Sequence, residues 1–254
     1  MDGYRWVGFE NYLTVFRDPE WWQAVRNTVL FVAISVPAET LLGLLVAVLL
    51  VQNLPGRGLL RAAILVPWVI PTVISAKMWT WMFHDLYGVV NDLGLRLGWF
   101  TGPKAWLVED GLLFGSMIFV DVWKTTPFMA LLLMAGLETV PKETLEAARL
   151  ESRSSLRVFL KITLPLLKPA LIVAVLFRTL DALRVFDLIY VFTNNKPSLA
   201  SMASFARRQL VEFQELGIGS AASMFVFVIV GVTSVLVLLV QRRNQARAGV
   251  GVTS

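Results

Sequence analysis

Five long apolar blocks constrain this chain more than any other feature: residues 27–51, 62–83, 111–137, 166–192 and 217–240. A bilayer needs roughly 20 mostly apolar residues for each helical crossing, and every block meets that length. Together they take up half of the 254 residues, so a large soluble domain is excluded. Charged residues make up only 16% of the chain, against about 25% in ordinary soluble domains. The expected fold is all-α, a polytopic transmembrane helical bundle with five spans in this chain.

Several chemistries drop out. With no cysteine there is no disulfide, thiolate metal site or Cys nucleophile, and the single histidine, His84, cannot build a His-rich metal site. His84 ends a span beside Asp85, which predicts a surface histidine rather than a proton relay. The net charge of +5 fits basic cytoplasmic loops, and no basic stripe with interleaved aromatics points to nucleic acid. There is no phosphate-binding G-x-x-x-x-G-K-[ST] loop, since Ala105 follows Gly98–Lys104. Any ATP chemistry must come from another polypeptide, and no catalytic residue is assigned.

Lys and Arg density orients the spans. Segments 52–61, 138–165 and 241–254 carry Arg57, Arg61, Lys142, Arg149, Arg153, Arg157, Lys161, Arg242, Arg243 and Arg247. These segments are expected to face the cytosol, which puts the N-terminus outside. An external N-terminus without a signal peptide predicts a sixth, N-terminal span missing from this chain. The resulting organisation is an external amphipathic segment at 1–26, a permease-like body at 27–240 with a cytoplasmic loop at 138–165, and a basic cytoplasmic tail at 241–254. Within 6–24 the aromatics Trp6, Phe9, Tyr12, Phe16, Trp21 and Trp22 predict a short helix at headgroup level. Gly88, Gly94, Gly98, Gly102 and Pro103 predict an external loop over 84–110.

The cytoplasmic loop reads as a short amphipathic helix opening near Pro141, where a missing N–H is harmless. A second short helix then leads to Pro165. Leu145, Ala148, Leu150, Leu156 and Phe159 form the apolar side. Such a helix can rest on headgroups or dock into a partner.

Ionisable residues inside spans cost about 2.5–3.5 kcal/mol each and read as functional. Asp121 and Lys124, followed by Thr125, form one cluster; Arg178, Asp181, Arg184 and Asp187 form another. Each steps by three, so neighbours share a helix face. One reading is an ion-pair network that locks two helices. The other is a polar translocation path, which predicts that Asp121→Ala and Arg178→Ala impair uptake more than assembly. Glu39 and Lys77 are single intramembrane charges at different depths, and Pro67 and Pro71 are expected to kink the second span.

The spacing of Glu146-Ala147-Ala148, Ser152, Ile162 and Leu164-Pro165 resembles the EAA loop of ABC-importer permeases. Val7-Gly8-Phe9-Glu10-Asn11-Tyr12, Gly56-Arg57-Gly58, Pro67-Trp68 and Val185-Phe186-Asp187 resemble the maltose/trehalose-type sugar permeases of that family. The resemblance implies the type I importer permease fold in a bacterial cytoplasmic membrane. It implies a second permease subunit, two ATPase subunits that bind ATP and Mg, an extracytoplasmic substrate-binding protein, and a disaccharide such as trehalose or maltose as cargo. It assigns ATPase coupling to Glu146, Ala147, Ala148, Arg149, Ser152, Leu164 and Pro165. It places Asp121, Lys124, Thr125, Arg178, Asp181, Ala182, Arg184 and Val185 along the substrate path. The family usually has Gly where this chain has Ser152, and a left-handed turn there would cost Ser about 1 kcal/mol. The competing functions are a secondary transporter or channel driven by the intramembrane charges, and an ABC permease for glycerol-3-phosphate.

Overall fold

The structure, a computed structural model, describes residues 6–52, 55–152 and 154–249, without the side chains of residues 57, 149, 238 and 240–249. Arg153 and residues 250–254 lie outside the described residues, as do the side chains of Arg57, Arg149, Arg242, Arg243 and Arg247.

Among the described residues every regular element is helical. In chain order these are α1 (Glu10–Arg17), α2 (Pro19–Val51), α3 (Arg57–Val69), α4 (Thr72–Met82), α5 (Val89–Arg96), α6 (Asp110–Glu138) and α7 (Lys142–Glu151). They continue as α8 (Ser155–Val158), a π turn (Phe159–Thr163), α9 (Leu164–Ala182), α10 (Asp187–Thr193), α11 (Met202–Arg207), a second π turn (Arg208–Glu212) and α12 (Leu216–Gly249). Four helical stretches are long and apolar enough to cross a membrane: Pro19–Val51, Asp110–Glu138, Ser155–Ala182 and Leu216–Val237. A fifth crossing results if the broken pair Gly58–Val69 and Thr72–Met82 is one span.

Proline placement explains several boundaries. Pro19 opens α2 at the first helical position, ahead of the apolar run at 27, because its absent N–H has no partner to lose there. Pro71 ends α3: it pushes Ile70 into an extended conformation, φ −67° and ψ 130°. Pro165 does not end a helix, contrary to the expected pair of separate elements. The wide π turn before it moves the preceding carbonyls off the ring, so α8, the turn and α9 form one stretch.

The fourth apolar block, 166–192, is not one helix. α9 stops at Ala182, the Arg184 and Val185 amides bond tightly to the Asp181 and Ala182 carbonyls at 3.1 Å, and α10 starts afresh. Asp187 lies in the first turn of α10, where the helix dipole favours a carboxylate. Arg184 and Asp187 therefore do not continue the helix face that carries Arg178.

The chain forms two compact units, Met1–Ile34 with Thr72–Val120 and Leu180–Ser254, and Ser35–Pro71 with Asp121–Thr179. In the first, Trp21 is 2% exposed and packs on Phe205 and Phe225 at ring distances of 5.5 and 5.8 Å. This corrects its expected place at the headgroups; Trp6, Phe9, Phe16 and Trp22 do stay exposed. The 84–110 segment is more ordered than a loop. It contains α5, and buried Asn91 ties it together by bonding the Asp85 and Lys104 carbonyls, the Lys104 amide and the Trp106 indole N–H. His84 is half-buried and stacks on Tyr87 at 3.6 Å.

The second unit packs α2, α6 and α9 around Ala47, Leu50, Met129, Leu133, Leu167 and Ala174. Small residues let membrane helices approach closely. A Cβ on Gly136 would strike Ala170 Cβ and come within 2.9 Å of Leu167 Cδ1. Gly136→Ala is therefore expected to destabilise the purified protein by about 1–3 kcal/mol, read as a lower melting temperature. An unchanged melting temperature would show that this contact yields freely.

Candidate functional site

The second unit buries a charge cluster. Arg178 on α9 is 2% exposed, Glu39 on α2 0% and Asp121 on α6 7%. The guanidinium grips Glu39 as a fork: Nε donates to Oε2 and Nη2 to Oε1, the latter at 3.0 Å. Nη2 also donates to Asp121 Oδ2. Three helices are thus joined through one cation. Burying ions costs several kcal/mol apiece, so such a cluster contributes register more than net stability. Two buried carboxylates can stand this close only with the guanidinium between them. Thr125 hydroxyl donates to the Asp121 carbonyl at 2.7 Å, bonding within its own helix.

Lys124 stands one turn along α6 from Asp121 and is 8% exposed. Its ammonium donates to the carbonyls of Ile70 at 2.6 Å and Trp68 at 3.3 Å. The reason lies in the break of the second apolar block. The last carbonyls of a helix have no intrahelical donor, and hydrocarbon offers no water. Lys124 supplies the donor and completes the end of α3. Behind it, Trp68 and Phe128 stack at 5.5 Å with 14° between their planes.

Asp181, Ala182, Arg184 and Val185 belong to the first unit. Asp181 and Arg184 are exposed, Ala182 is buried and Val185 half-buried. Arg184 Nε bonds the Leu180 carbonyl at 3.2 Å, and the Val185 carbonyl accepts from Ser201 Oγ at 2.7 Å.

Two features of the cluster escape sequence reasoning: Glu39 is the main partner of Arg178, and Lys124 serves a broken helix end. A signal existed for each. A lone intramembrane carboxylate requires a cation on another helix, and Pro67-x-x-x-Pro71 requires a donor for stranded carbonyls.

In the cytoplasmic loop, α7 follows Pro141, as expected for an amphipathic helix opening there. Leu145 and Ala148 turn inward, while Glu146 and Ala147 are exposed and Leu150 is 90% exposed. The apolar side is therefore split: Phe159 is half-buried, but Leu156 points out. α7 lies by a cleft of about 580 Å³ lined by Val48, Val51, Gln52, Leu137, Leu145, Ser155, Val158, Phe159 and Thr163. Ser152 is extended, φ −131° and ψ 122°, so the left-handed penalty does not arise. Its hydroxyl accepts from the Ser154 amide at 3.4 Å, and Ser154 caps α8. Leu164 and Pro165 open α9. The Arg149 side chain lies outside the described residues.

Residues 39–246 match the family described as binding-protein-dependent transport system inner membrane component. The chain is 45% identical over 237 residues to the trehalose/maltose transport system permease protein MalF of Thermococcus litoralis, covering 93% of this chain and 80% of that protein. It is 38% identical over 221 residues to the trehalose transport system permease protein SugA of Mycobacterium tuberculosis, covering 87% and 70%. In fold it is similar, at TM-score 0.81 and 21% identity, to a chain of a bacterial ABC transporter involved in the import of the acidic polysaccharide alginate, covering 94% and 84%. The chain belongs to the family of binding-protein-dependent transport system inner membrane components. It is a multi-pass ABC-importer permease with the type I fold and is not an enzyme; ATP hydrolysis belongs to a partner subunit. A secondary transporter or channel is ruled out by that membership.

Proposed function

We propose that this chain forms half of the translocation path of a disaccharide importer and couples to its ATPase through α7. The observation that carries the coupling is the presentation of α7: Leu145 and Ala148 hold it down, while Glu146 and Ala147 face outward with Leu150 beside them. Small Ala147 permits close approach, and the Glu146 carboxylate accepts charge-assisted hydrogen bonds from a basic groove. Ser152, Leu164 and Pro165 set the chain direction behind the helix; Arg149 belongs to the same surface by its place in the motif. The complete importer then contains a second permease, two ATPase subunits holding ATP and Mg, and an extracytoplasmic binding protein. The 138–165 loop and the C-terminus are cytoplasmic.

A neutral disaccharide such as trehalose or maltose is supported by the names of the relatives. It is supported also by Arg178, whose engagement with Glu39 and Asp121 makes it a poor anchor for glycerol-3-phosphate. Asp121, Lys124, Thr125 and Arg178 frame the path from the second unit. Asp181, Ala182, Arg184 and Val185 are path residues by resemblance.

The test is co-purification of the ATPase with Glu146→Lys. Hydrogen bonds to charged groups contribute about 1.5–3 kcal/mol, so association should weaken by about tenfold to a hundredfold. Unchanged association would overturn the coupling role. ATPase stimulation by the loaded binding protein, screened over trehalose, maltose and glycerol-3-phosphate, tests the cargo.

A further inference from the structure

We propose that Trp68 is an aromatic wall of the path, on which a pyranose ring of the cargo stacks; this rests on the disaccharide reading above. Trp68 is 45% exposed although it lies within an apolar block. The exposure falls on the wrong side of α3 for lipid. At 3.6 residues per turn, Leu59, Ala62, Val66 and Val69 gather on one side of α3, all of them exposed. Trp68 stands about 140° away from their mean direction. It shares its side with Arg61, one heptad earlier, which pairs with Glu138 of α6 at 3.2 Å. Trp68 therefore faces the same helix, and there it stacks on Phe128.

The surroundings are those of a wet or polar space. Two residues beyond Trp68 the backbone leaves helical geometry, and Lys124 reaches in to bond the Trp68 and Ile70 carbonyls. Irregular backbone at membrane depth is tolerated only when buried in protein or lining a water-filled cavity. A half-exposed ring beside it is on the rim of such a cavity.

The chemistry fits a sugar. A pyranose has one face of axial C–H groups, apolar enough to lie on a ring, and hydroxyls at its edge. An indole held from behind by Phe128 and at its backbone by Lys124 is preorganised, so little freedom is lost when a ring stacks on it. Stacking is tolerant of hydroxyl configuration, which suits passage rather than tight capture.

The chain has no cysteine, so Trp68→Cys places a single reporter in it. The experiment uses the whole complex in lipid vesicles, with cysteine-free partners and a charged methanethiosulfonate reagent. Such a reagent reacts with a thiolate in water. We expect labelling during ATP turnover, slowed at least about fivefold by trehalose delivered by the binding protein. No labelling would place Trp68 against lipid and overturn the proposal. Labelling indifferent to trehalose would make it a wall between subunits and also overturn it. In parallel, Trp68→Leu should lower trehalose kcat/KM by about five- to tenfold per assembled complex, and Trp68→Phe by no more than about twofold. A Leu variant equal to wild type overturns the stacking role whether or not Trp68→Cys assembles. If the wild-type complex responds to neither trehalose nor maltose, the disaccharide reading falls, and this proposal with it. A responsive wild type with indifferent Trp68 variants removes this proposal alone.

Discussion

Arg178→Met is expected to abolish accumulation of the protein in the membrane, whereas Glu39→Gln is expected to be tolerated. The asymmetry follows from the composition of the cluster, one guanidinium between two carboxylates. Removing the cation leaves Glu39 and Asp121 both buried, facing each other without the charge that separates them. Breaking a buried pair costs about 3–5 kcal/mol, and whole domains are stable by only about 5–15 kcal/mol. Glu39→Gln removes one of the two carboxylates and leaves Arg178 paired with Asp121. The triple variant Glu39→Gln/Asp121→Asn/Arg178→Met should recover much of the lost abundance, because no ion of the triad remains. Membrane abundance and detergent melting temperature read all three. Wild-type abundance for Arg178→Met would show that the cluster does not hold α2, α6 and α9 together. The path reading from sequence expects Arg178→Ala to affect uptake more than assembly; the geometry reverses that order for Arg178.

Lys124→Met is expected to be the next most severe change. Its methylene stem is preserved, so packing is nearly unchanged and the loss is that of the ammonium donor. Two carbonyls, of Trp68 and Ile70, then remain unpaired at a helix end in an apolar setting. Each unsatisfied group costs about 1–3 kcal/mol, giving about 2–6 kcal/mol in all. Lys124→Gln keeps a neutral N–H donor of shorter reach and should recover part of the stability. The same melting measurement decides: if Met and Gln variants melt alike and close to wild type, Lys124 does not complete the end of α3. Loss of transport with full stability would instead assign Lys124 to the cargo.

Much of the fold is legible in the residues, and the misses have identifiable causes. Apolar length marks the spans because hydrocarbon penalises every unpaired backbone group alike. It cannot mark where a helix restarts within apolar surroundings, and this is why 166–192 looks continuous although α9 ends at Ala182. Prolines are ambiguous in the same way. Pro71 stops a helix and Pro165 does not, the difference being a π turn that no local residue type announces. Trp21 reads as an interfacial aromatic because its amphipathic ring suits a headgroup as well as a core. Phe205 and Phe225, far along the chain, make it a core residue.

The coupling loop is legible down to single residues, because a docking helix is a local object whose exposed positions follow from its own periodicity. Even there the turn at Ser152 required the coordinates: the expected left-handed conformation is replaced by an extended one with a capped helix after it.

The sequence by itself determined the class of this protein: the apolar lengths make it a membrane bundle, and the Glu146–Pro165 spacing makes it a partner of an ATPase. Both are properties of contiguous chain. Only the tertiary structure decided what the intramembrane charges do. A charge in an apolar medium must find an opposite charge or a stranded dipole within hydrogen-bonding distance. Which one it finds, Glu39 for Arg178 or the Ile70 carbonyl for Lys124, depends on how helices distant in sequence come together.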